Sequence, residues 1–311
     1  MVKAHSNLMK EMLSGKFVFT GELEPVETTD VSSVVGEAKE LVGYVTACNV
    51  TDNPASSVAV SSLVVSYLVQ KEAGMETIYQ LRCSDRNRLA LTSDLLGAAV
   101  FGIRNVLALT GDHTLLGNMP EARPVFDLDS ALLVNLISRM VNEGKDINGN
   151  EIRGARAQFN IGVAANPNAD PIEPEILKVL RKIENGAEFI QTQVCFDIDK
   201  TLSFLRTLKV FNIPILVGIF PMKSYGIARG FVEHVPGVSV PKSLLAELEK
   251  VTDKAVSKEE KRKIYDKVNL DFFAPLIKEL RKSDLCAGCH IMSVHYTELI
   301  PQLLKEAGII K

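Results

Sequence analysis

The amino-acid sequence predicts an α/β fold, a closed (β/α)8 TIM barrel, from three observations. Eight short apolar runs recur along the 311 residues, and segments with the apolar spacing of helices lie between them. The runs are apolar on both faces, which is typical of parallel strands covered by helices. Eight strand–helix units in about 300 residues match the size of a closed barrel. An open doubly wound sheet is the alternative fold.

The predicted strands are the apolar runs, taken in chain order. They are Phe17–Phe19, Val45–Val50, Thr77–Leu81, Val106–Leu109, Phe159–Ala164, Phe189–Thr192, Ile213–Ile219 and Ala287–Val294. At least eight helices are predicted, and examples are Val31–Leu41, Ser57–Glu72, Arg86–Phe101, Ser130–Asn142, Pro174–Glu184, Ile198–Phe211 and Thr297–Ala307. The N-terminal stretch MVKAHSNLMKEMLSGK has no apolar signal core, so we interpret it as a short amphipathic helix.

Two insertions interrupt the alternation of strands and helices. Residues 142–154 contain an Asn-Gly pair among polar residues, which predicts a hairpin before the fifth strand. Residues 238–282 are long, charged and helical in pattern, so they predict extra helices between strands seven and eight. The whole chain, 1–311, is therefore expected to form a single barrel domain.

Composition limits the classes of partner. The net charge is −3, with 46% hydrophobic and 23% charged residues, so nothing in the charge favours nucleic acid or an acidic membrane. No apolar run approaches the roughly 20 residues that span a bilayer. Five cysteines are scattered in a chain without an export signal, so we expect free thiols and a cytoplasmic protein. The Rossmann and P-loop nucleotide motifs do not occur.

Polar residues follow most of the predicted strands, where a barrel carries its chemistry. These residues are Glu22, Asn49, Thr51, Asp52, Asn53, Gln80, Arg82, Thr110, Gly111, Asp112, Asn166, Gln191, Gln193, Ser293 and His295. Their convergence on one mouth predicts a site for a polar small molecule. Glu24 and Glu27, on the same segment as Glu22, are interpreted as solvated carboxylates.

The sequence CAGCH at Cys286–His290 has the spacing of a haem-attachment or zinc fragment. It lies inside the predicted eighth strand and lacks a matching second pair. We therefore expect no metal site.

Several rim motifs together resemble one family. They are FTGELEP, NVTDNPAS, YQLRCSDRNR, VLALTGD, IGVAANP, KIENGAEFIQTQVCFD and ILVGIFPM. In their order and spacing, from Phe17 to Ile309, the chain resembles the methylenetetrahydrofolate reductase family, flavin-dependent barrels of the bacterial and anaerobe type. The resemblance implies reduction of 5,10-methylenetetrahydrofolate to 5-methyltetrahydrofolate.

The resemblance also implies roles for individual residues. The general acid of the family falls on Glu22, and its flavin-proximal aspartate falls on Asp112. The folate-contacting glutamine falls on Gln193, and the aromatic residue that stacks on substrate falls on Phe231. The implied flavin-binding set is Thr51, Gln80, Thr110, Gly111, Asp112, Ala164, Asn166, Glu175, Arg181 and Lys182.

Four of these positions depart from the family pattern. Gln80 stands where bacterial members have a flavin-contacting histidine, Thr110 replaces an arginine, and Asn166 replaces a tyrosine. Tyr296 stands at the position of a substrate-contacting arginine. The resemblance therefore implies FAD, with FMN as the alternative. It implies NADH, NADPH or a protein partner as electron donor, because similar members in anaerobes work inside multi-subunit complexes. A homo-oligomer is also compatible with it.

The implied reaction explains why these residue types suit the site. Opening of the folate ring requires a proton at N10, and a glutamic acid at Glu22 would supply it. Reduced flavin would then transfer hydride from its N5 to the methylene carbon. An ionised Asp112 would stabilise the cationic intermediate. Two alternatives stay open: a flavin-free barrel that transfers the methyl group of methyltetrahydrofolate to a corrinoid protein, and a scaffold subunit that docks a partner through residues 238–282.

Overall fold

The structure is a computed structural model that describes residues 2–234, 238–293 and 295–310. Within these residues, eight parallel strands close a barrel in chain order, and the last strand pairs with the first. The strands are β1 (Val18–Leu23), β2 (Ala47–Val50), β3 (Thr77–Arg82), β4 (Asn105–Leu109), β5 (Asn160–Ala165), β6 (Phe189–Val194), β7 (Ile215–Ile219) and β8 (Gly288–Ile291). The predicted TIM barrel is confirmed, and the open-sheet alternative is wrong.

Helices follow the strands along the outside of the barrel. In the described part of the chain they are α1 (Asn7–Leu13), α2 (Ser32–Leu41), α3 (Ser62–Ala73), α4 (Arg88–Val100), α5 (Ser130–Asn142), α6 (Glu173–Glu184), α7 (Ile198–Leu208), α8 (Tyr225–His234), α9 (Lys242–Thr252), α10 (Lys258–Ser283) and α11 (Ile300–Glu306). No helix among these residues is long and apolar enough to cross a bilayer.

Several predicted boundaries differ from the structure by one to five residues. The helix predicted from Ser57 begins only at Ser62, because the backbones of Ser57 and Ser61 have ψ angles of 141° and 122°, which are extended and not helical. The predicted eighth strand is shortened to Gly288–Ile291, and its last predicted residue, Val294, lies outside the described residues.

The insertion between β7 and β8 is helical, as predicted, and contains α9 and α10. The second of these begins with a capping box between Ser257 and Glu260. Further along it, the buried amide of Asn269 accepts a hydrogen bond from the Met222 N–H at 2.7 Å and donates one to the Met222 carbonyl at 2.9 Å. The insertion is thus hydrogen-bonded to the chain that leaves β7. In residues 142–154, a single antiparallel bridge joins Lys145 to Glu151.

The amino-terminal end of the barrel is closed by α1. Leu8, Met9 and Met12 are buried against apolar side chains at the starts of six strands. Those side chains are Val18, Ala47, Ile78, Leu107, Phe189 and Leu216. These apolar side chains of α1 exclude water from the base of the barrel, which is energetically favourable.

Side chains from two strands hold the first turn of α1. The Glu76 carboxylate, just before β3, accepts the N–H groups of Asn7 at 2.7 Å and Leu8 at 2.9 Å. The side-chain carbonyl oxygen of Asn160 accepts those of His5 at 2.8 Å and Ser6 at 3.1 Å. A negative charge at the unpaired donors of a helix start is favourable, so these contacts fix the position of the helix.

Gly162 on β5 makes room for Phe189, its neighbour on β6. A Cβ at position 162 would lie 2.3 Å from the Phe189 ring, far inside van der Waals contact. Phe189 is fully buried in the base layer, so the ring has no space into which it can move. The close packing of this layer therefore requires glycine.

We expect Gly162→Ala to lower the free energy of unfolding by about 1–3 kcal/mol, because it overpacks the barrel interior. Gly36→Ala is the matched control, since Gly36 lies inside α2 and no atom comes within 4 Å of where an alanine Cβ would lie. Alanine there should be neutral or stabilising by about 0.5–1 kcal/mol. Denaturant unfolding measures both, and equal stabilities of the two variants would contradict the packing argument.

Candidate active site

A cavity of about 400 Å³ opens at the carboxyl end of the barrel strands, a volume within the range of small-molecule sites. One part of its wall is apolar, and the rest carries amides and charged groups. The lining residues are Glu22, Asn49, Gln80, Leu107, Ala108, Leu109, Thr110, Ser130, Ala164, Ala165, Asn166, Glu175, Lys182, Gln191, Thr192, Gln193, His290 and Met292. The cavity therefore unites eight of the residues to which the family resemblance assigns a role.

Glu22 enters the cavity from β1. The side chain is only 12% exposed, and its Oε2 lies 3.3 Å from His290 Nε2. Gln80, on β3, points its Nε2 to the same oxygen at 3.5 Å. Glu24 lies outside the lining, and burial, followed by the charge of Glu22, raises the pKa of its carboxyl group. Glu22 is thus the glutamate of this segment that faces the cavity.

His290 is a site residue that the sequence analysis did not identify. It lies on β8 in register with Thr20 of β1, and its Nδ1 lies 3.0 Å from the Thr20 hydroxyl oxygen. The side chain is 4% exposed, so both ring nitrogens are held by protein groups. The available signal was strand alternation: the residue at 290 faces the interior if Cys289 faces the helices.

A buried amide pair forms the floor of the cavity. Asn49 of β2 and Gln191 of β6 exchange two hydrogen bonds across the barrel, with lengths of 2.7 and 3.0 Å. Gln191 Nε2 also lies 3.5 Å from the Thr20 hydroxyl oxygen. Pairing satisfies amides that would otherwise be costly to bury. The floor is therefore polar and rigid.

Gln193 lies two residues beyond Gln191 and lines the same cavity, although the register between β6 and β7 shifts after Gln191. Its Oε1 accepts the Val194 N–H at 2.9 Å. No described residue accepts a hydrogen bond from its amide nitrogen, which leaves this donor to a ligand.

The opposite wall is built from β5 and α6. The half-buried Lys182 ammonium donates to the Ala164 carbonyl at 2.7 Å, and Glu175 accepts the Asn166 N–H at 2.9 Å. Desolvation lowers the pKa of Lys182, and the nearby Glu175 opposes this effect. This wall thus places a cation and a carboxylate beside the apolar side chains.

The Thr110–Asp112 turn only partly faces the cavity. Thr110 lines it, whereas the Asp112 side chain is exposed outside the lining and its carbonyl accepts a hydrogen bond from Ser56 at 2.9 Å. Gly111 has φ +86°, and a Cβ there would lie 2.5 Å from the Ser84 hydroxyl oxygen. Only glycine therefore allows this turn to approach the loop after β3.

Four other predicted residues do not line the cavity. Thr51 is buried, and its hydroxyl has no hydrogen-bond partner in the described part of the chain. Arg181 is exposed and lies 3.4 Å from Asp129. Phe231 stacks on Phe220 with ring centroids 4.4 Å apart.

The fourth, Tyr296, is buried away from the cavity. Its hydroxyl donates to Asp266 of α10, and the Arg262 guanidinium lies 4.7 Å from the ring centroid. Burial and the Asp266 carboxylate raise the pKa of this phenol. The side chain thus connects the end of the barrel to the helical insertion.

An ion-pair network holds the loops after β2 and β3. Arg86 contacts Asp52 at 2.8 Å and Asp85 at 3.0 Å, and Arg82 contacts Asp85 at 2.7 Å. Burial raises the pKa of Asp52 despite the charge of Arg86. Arg82 also donates to the Asn53 carbonyl at 2.8 Å, which holds the left-handed backbone of Asn53 in place.

Cys286 and Cys289 are free thiols away from the cavity. Burial raises the pKa of the Cys286 thiol to about 12, so this group stays protonated. Within the ranges that the structure describes, no three His, Cys, Asp or Glu side chains are arranged to hold a metal ion.

The fold and the cavity define a (β/α)8 barrel with a polar small-molecule site at the carboxyl ends of its strands. A family model described as methylenetetrahydrofolate reductase matches residues 7–308. The chain belongs to the methylenetetrahydrofolate reductase family.

Named relatives agree with this assignment. Methylenetetrahydrofolate reductase 2 of Schizosaccharomyces pombe is 26% identical over 282 residues, which cover 84% of this chain and 40% of that protein. The 5,10-methylenetetrahydrofolate reductase of Buchnera aphidicola is 31% identical, covering 57% of this chain and 54% of that protein. The Salmonella typhimurium protein of the same name is 27% identical, covering 56% and 53%. The matched region is about half the length of these relatives, or less.

Among solved structures, DmoA from Hyphomicrobium sulfonivorans superposes with a TM-score of 0.51 at 9% identity, covering 95% of this chain and 89% of that one. At this identity the likeness concerns the barrel fold alone.

We expect the Asn49–Gln191 pair to be energetically coupled. Asn49→Ala leaves a buried amide without partners and should lower the free energy of unfolding by about 1–3 kcal/mol, as should Gln191→Ala. The double variant should lose clearly less than the sum. Denaturant unfolding of the four proteins gives the coupling, with the exposed Asn142→Ala as a control that changes stability by less than about 0.5 kcal/mol. Strictly additive losses would contradict the pairing.

Proposed function

We propose that this chain is a flavin-dependent methylenetetrahydrofolate reductase, which reduces 5,10-methylenetetrahydrofolate to 5-methyltetrahydrofolate. The observation that carries the proposal is the Glu22 carboxyl group, mostly buried at the cavity wall beside His290, in a member of this family. A proton donor held at a small polar cavity is what the ring-opening step requires. The proposal treats residues 1–311 as one flavoprotein barrel domain in the cytoplasm.

The cavity residues fit a flavin ring. Leu107, Ala108, Leu109, Ala164 and Ala165 provide apolar surface for a flat ring. Around this surface, Gln80, Thr110 and Asn166 offer donors and acceptors to its polar edge. The half-buried Lys182, with only a backbone carbonyl as hydrogen-bond partner among the described residues, provides a positive charge beside them.

Residues outside the lining complete the proposed flavin site. Thr51 contributes a buried hydroxyl without a partner in the described ranges, and Gly111 permits close approach of the backbone. On α6, Arg181 lies outside the lining and Glu175 within it, and both would hold the sugar and phosphate end of the flavin. We propose FAD, with FMN as the alternative. When bound, the flavin supplies the hydride for the methylene carbon.

Glu22 has the central role among the chain's own residues. Its carboxylic acid protonates N10 as the carbon–nitrogen bond breaks, which is worth about 10²–10⁴ in rate for general acids. Its low exposure excludes water that would compete for the proton.

Other side chains bind and orient the folate. The amide nitrogen of Gln193 donates to the pterin edge. Phe231 packs against the aminobenzoyl ring, and Asp112 stabilises positive charge from the exposed turn. Tyr296 is better explained by its bond to Asp266 than by substrate contact.

The electron donor is a separate part of the proposal. Two relatives carry names that specify NADH, in Arabidopsis thaliana, and NADPH, in Caenorhabditis elegans. Because these names differ, the family does not select one donor for this chain. We propose NADH, NADPH or a partner subunit, and a homo-oligomer is compatible with each.

Two rival functions make different predictions. A flavin-free methyltransferase barrel would be colourless and would transfer a methyl group to a corrinoid protein. A scaffold subunit would dock a partner through residues 238–282 and show no turnover of its own. The buried Glu22 and the polar cavity favour catalysis over the scaffold.

The purified protein should be yellow and release FAD on denaturation. Lys182→Met should weaken flavin retention by about tenfold or more, because it removes the half-buried charge at the proposed site. Lys178→Met, one turn earlier on α6 and 69% exposed, is the matched control and should retain flavin normally. Flavin absorbance after gel filtration reports both. A colourless protein that no flavin reconstitutes would refute the proposal.

Glu22→Gln should keep its flavin and allow normal flavin reduction by NADH, NADPH or a viologen dye. Folate reduction should fall about 10²–10⁴-fold, because an amide cannot donate the proton. Stopped-flow measurement separates the two half-reactions. Glu24→Gln, on the same segment but outside the lining, should change either rate by less than about tenfold. Unchanged folate reduction in Glu22→Gln would contradict the role of Glu22 as the general acid.

A further inference from the structure

The proposed reaction consumes one proton in each turnover, and the following inference rests on that proposed function. The bond between the methylene carbon and N10 breaks, N10 keeps the electron pair and takes a proton, and the carbon gains a hydride. Glu22 therefore ends each turnover ionised and must regain a proton before the next one.

An isolated glutamic acid is poorly suited to this cycle. A glutamate side chain has an ordinary pKa of about 4.3, so only a small fraction carries a proton at neutral pH. With its side chain 12% exposed, Glu22 also has little direct contact with solvent. A nearby group that binds a proton in the neutral range would solve both problems, and imidazole is the side chain that does so.

His290 has the geometry for this task. Its Nε2 lies 3.3 Å from Glu22 Oε2, and its Nδ1 lies 3.0 Å from the Thr20 hydroxyl oxygen. A protonated imidazole has two N–H donors, and here each one meets an oxygen acceptor. A neutral imidazole is also accommodated, because the Thr20 hydroxyl can donate to Nδ1 instead.

We propose that His290 is a positioning residue that holds the proton which Glu22 delivers to N10. The two side chains share one proton: it resides on the imidazole beside the carboxylate and moves across the 3.3 Å contact to Glu22 when the substrate nitrogen needs it. The pair regains its proton from solvent after turnover.

The charged groups around the pair are few. Glu22 is the charged side chain in contact with His290, while Thr20 and Gln191 beneath it are neutral. Glu175 and Lys182 line the opposite wall with opposite charges.

Further out, Glu24 interacts electrostatically with Glu22, His295 and Glu37, and the last two are 3.2 Å apart.

The test is the pH dependence of folate reduction in His290→Gln. Glutamine can keep a donor on the Glu22 carboxylate but cannot hold the extra proton. The alkaline limb of kcat/KM should move down by about one to two pH units, because the ordinary pKa values of histidine and glutamic acid side chains differ by about two units. Folate reduction at pH 7 should fall about 10–100-fold and recover toward the wild-type rate at acid pH. Flavin reduction should be unchanged.

A structural role would lower the rate equally at every pH, and that result would overturn the inference, as would an unshifted profile. His5→Gln, at the opposite end of the barrel, is the control and should keep the wild-type profile. If His290→Gln does not fold, Thr20→Val decides: loss of the Nδ1 partner should shift the limb in the same direction, and no shift would refute the proton-holding role. Failure of the proposed function is distinguishable, since the wild-type protein would then bind no flavin and would not reduce the folate at any pH.

Discussion

The hydrogen-bonded layer that crosses the barrel interior is the constraint on which the site depends. Asn49 and Gln191 exchange two hydrogen bonds from opposite sides of the barrel, and Thr20 connects this pair to His290. Polar groups at this depth are costly unless each has a partner, so the layer has one low-energy arrangement. Glu22 lies next to this layer, and the contact of its carboxyl group with His290 fixes the position of the side chain. The layer therefore determines where a proton can be placed.

Because successive residues of a strand point to opposite faces, the inward-facing side chains of the barrel form three levels along its axis. Val18, Thr20 and Glu22 of β1 all face inward, two residues apart, and they contribute in turn to the base, the polar layer and the mouth. β6 repeats the order with Phe189, Gln191 and Gln193. The apolar base supplies the burial energy, which allows the levels above it to carry polar groups.

Much of the barrel and part of the site were predictable from the sequence, because strand and helix periodicity are local signals. The convergence of Glu22, Gln80 and Gln193 followed from strand ends that meet at one mouth. His290 was missed because its inward direction depends on strand register, and because it was considered only as part of the CAGCH motif, for which no site was expected. The exposure of Asp112 and the burial of Tyr296 depend on loop conformation and on Asp266, thirty residues away. Such long-range contacts leave no periodic signal in the sequence.

The helix that seals the barrel base has a consequence for the order of assembly. α1 is synthesised before most of its binding surface, since Asn160, Phe189 and Leu216, against which it packs, follow about 150 residues later or more. During translation the apolar face of Leu8, Met9 and Met12 has no completed receptor. Docking of this segment must therefore come late in folding, when the growing chain has already formed most of its strands. Until then the apolar face of α1 stays exposed to solvent.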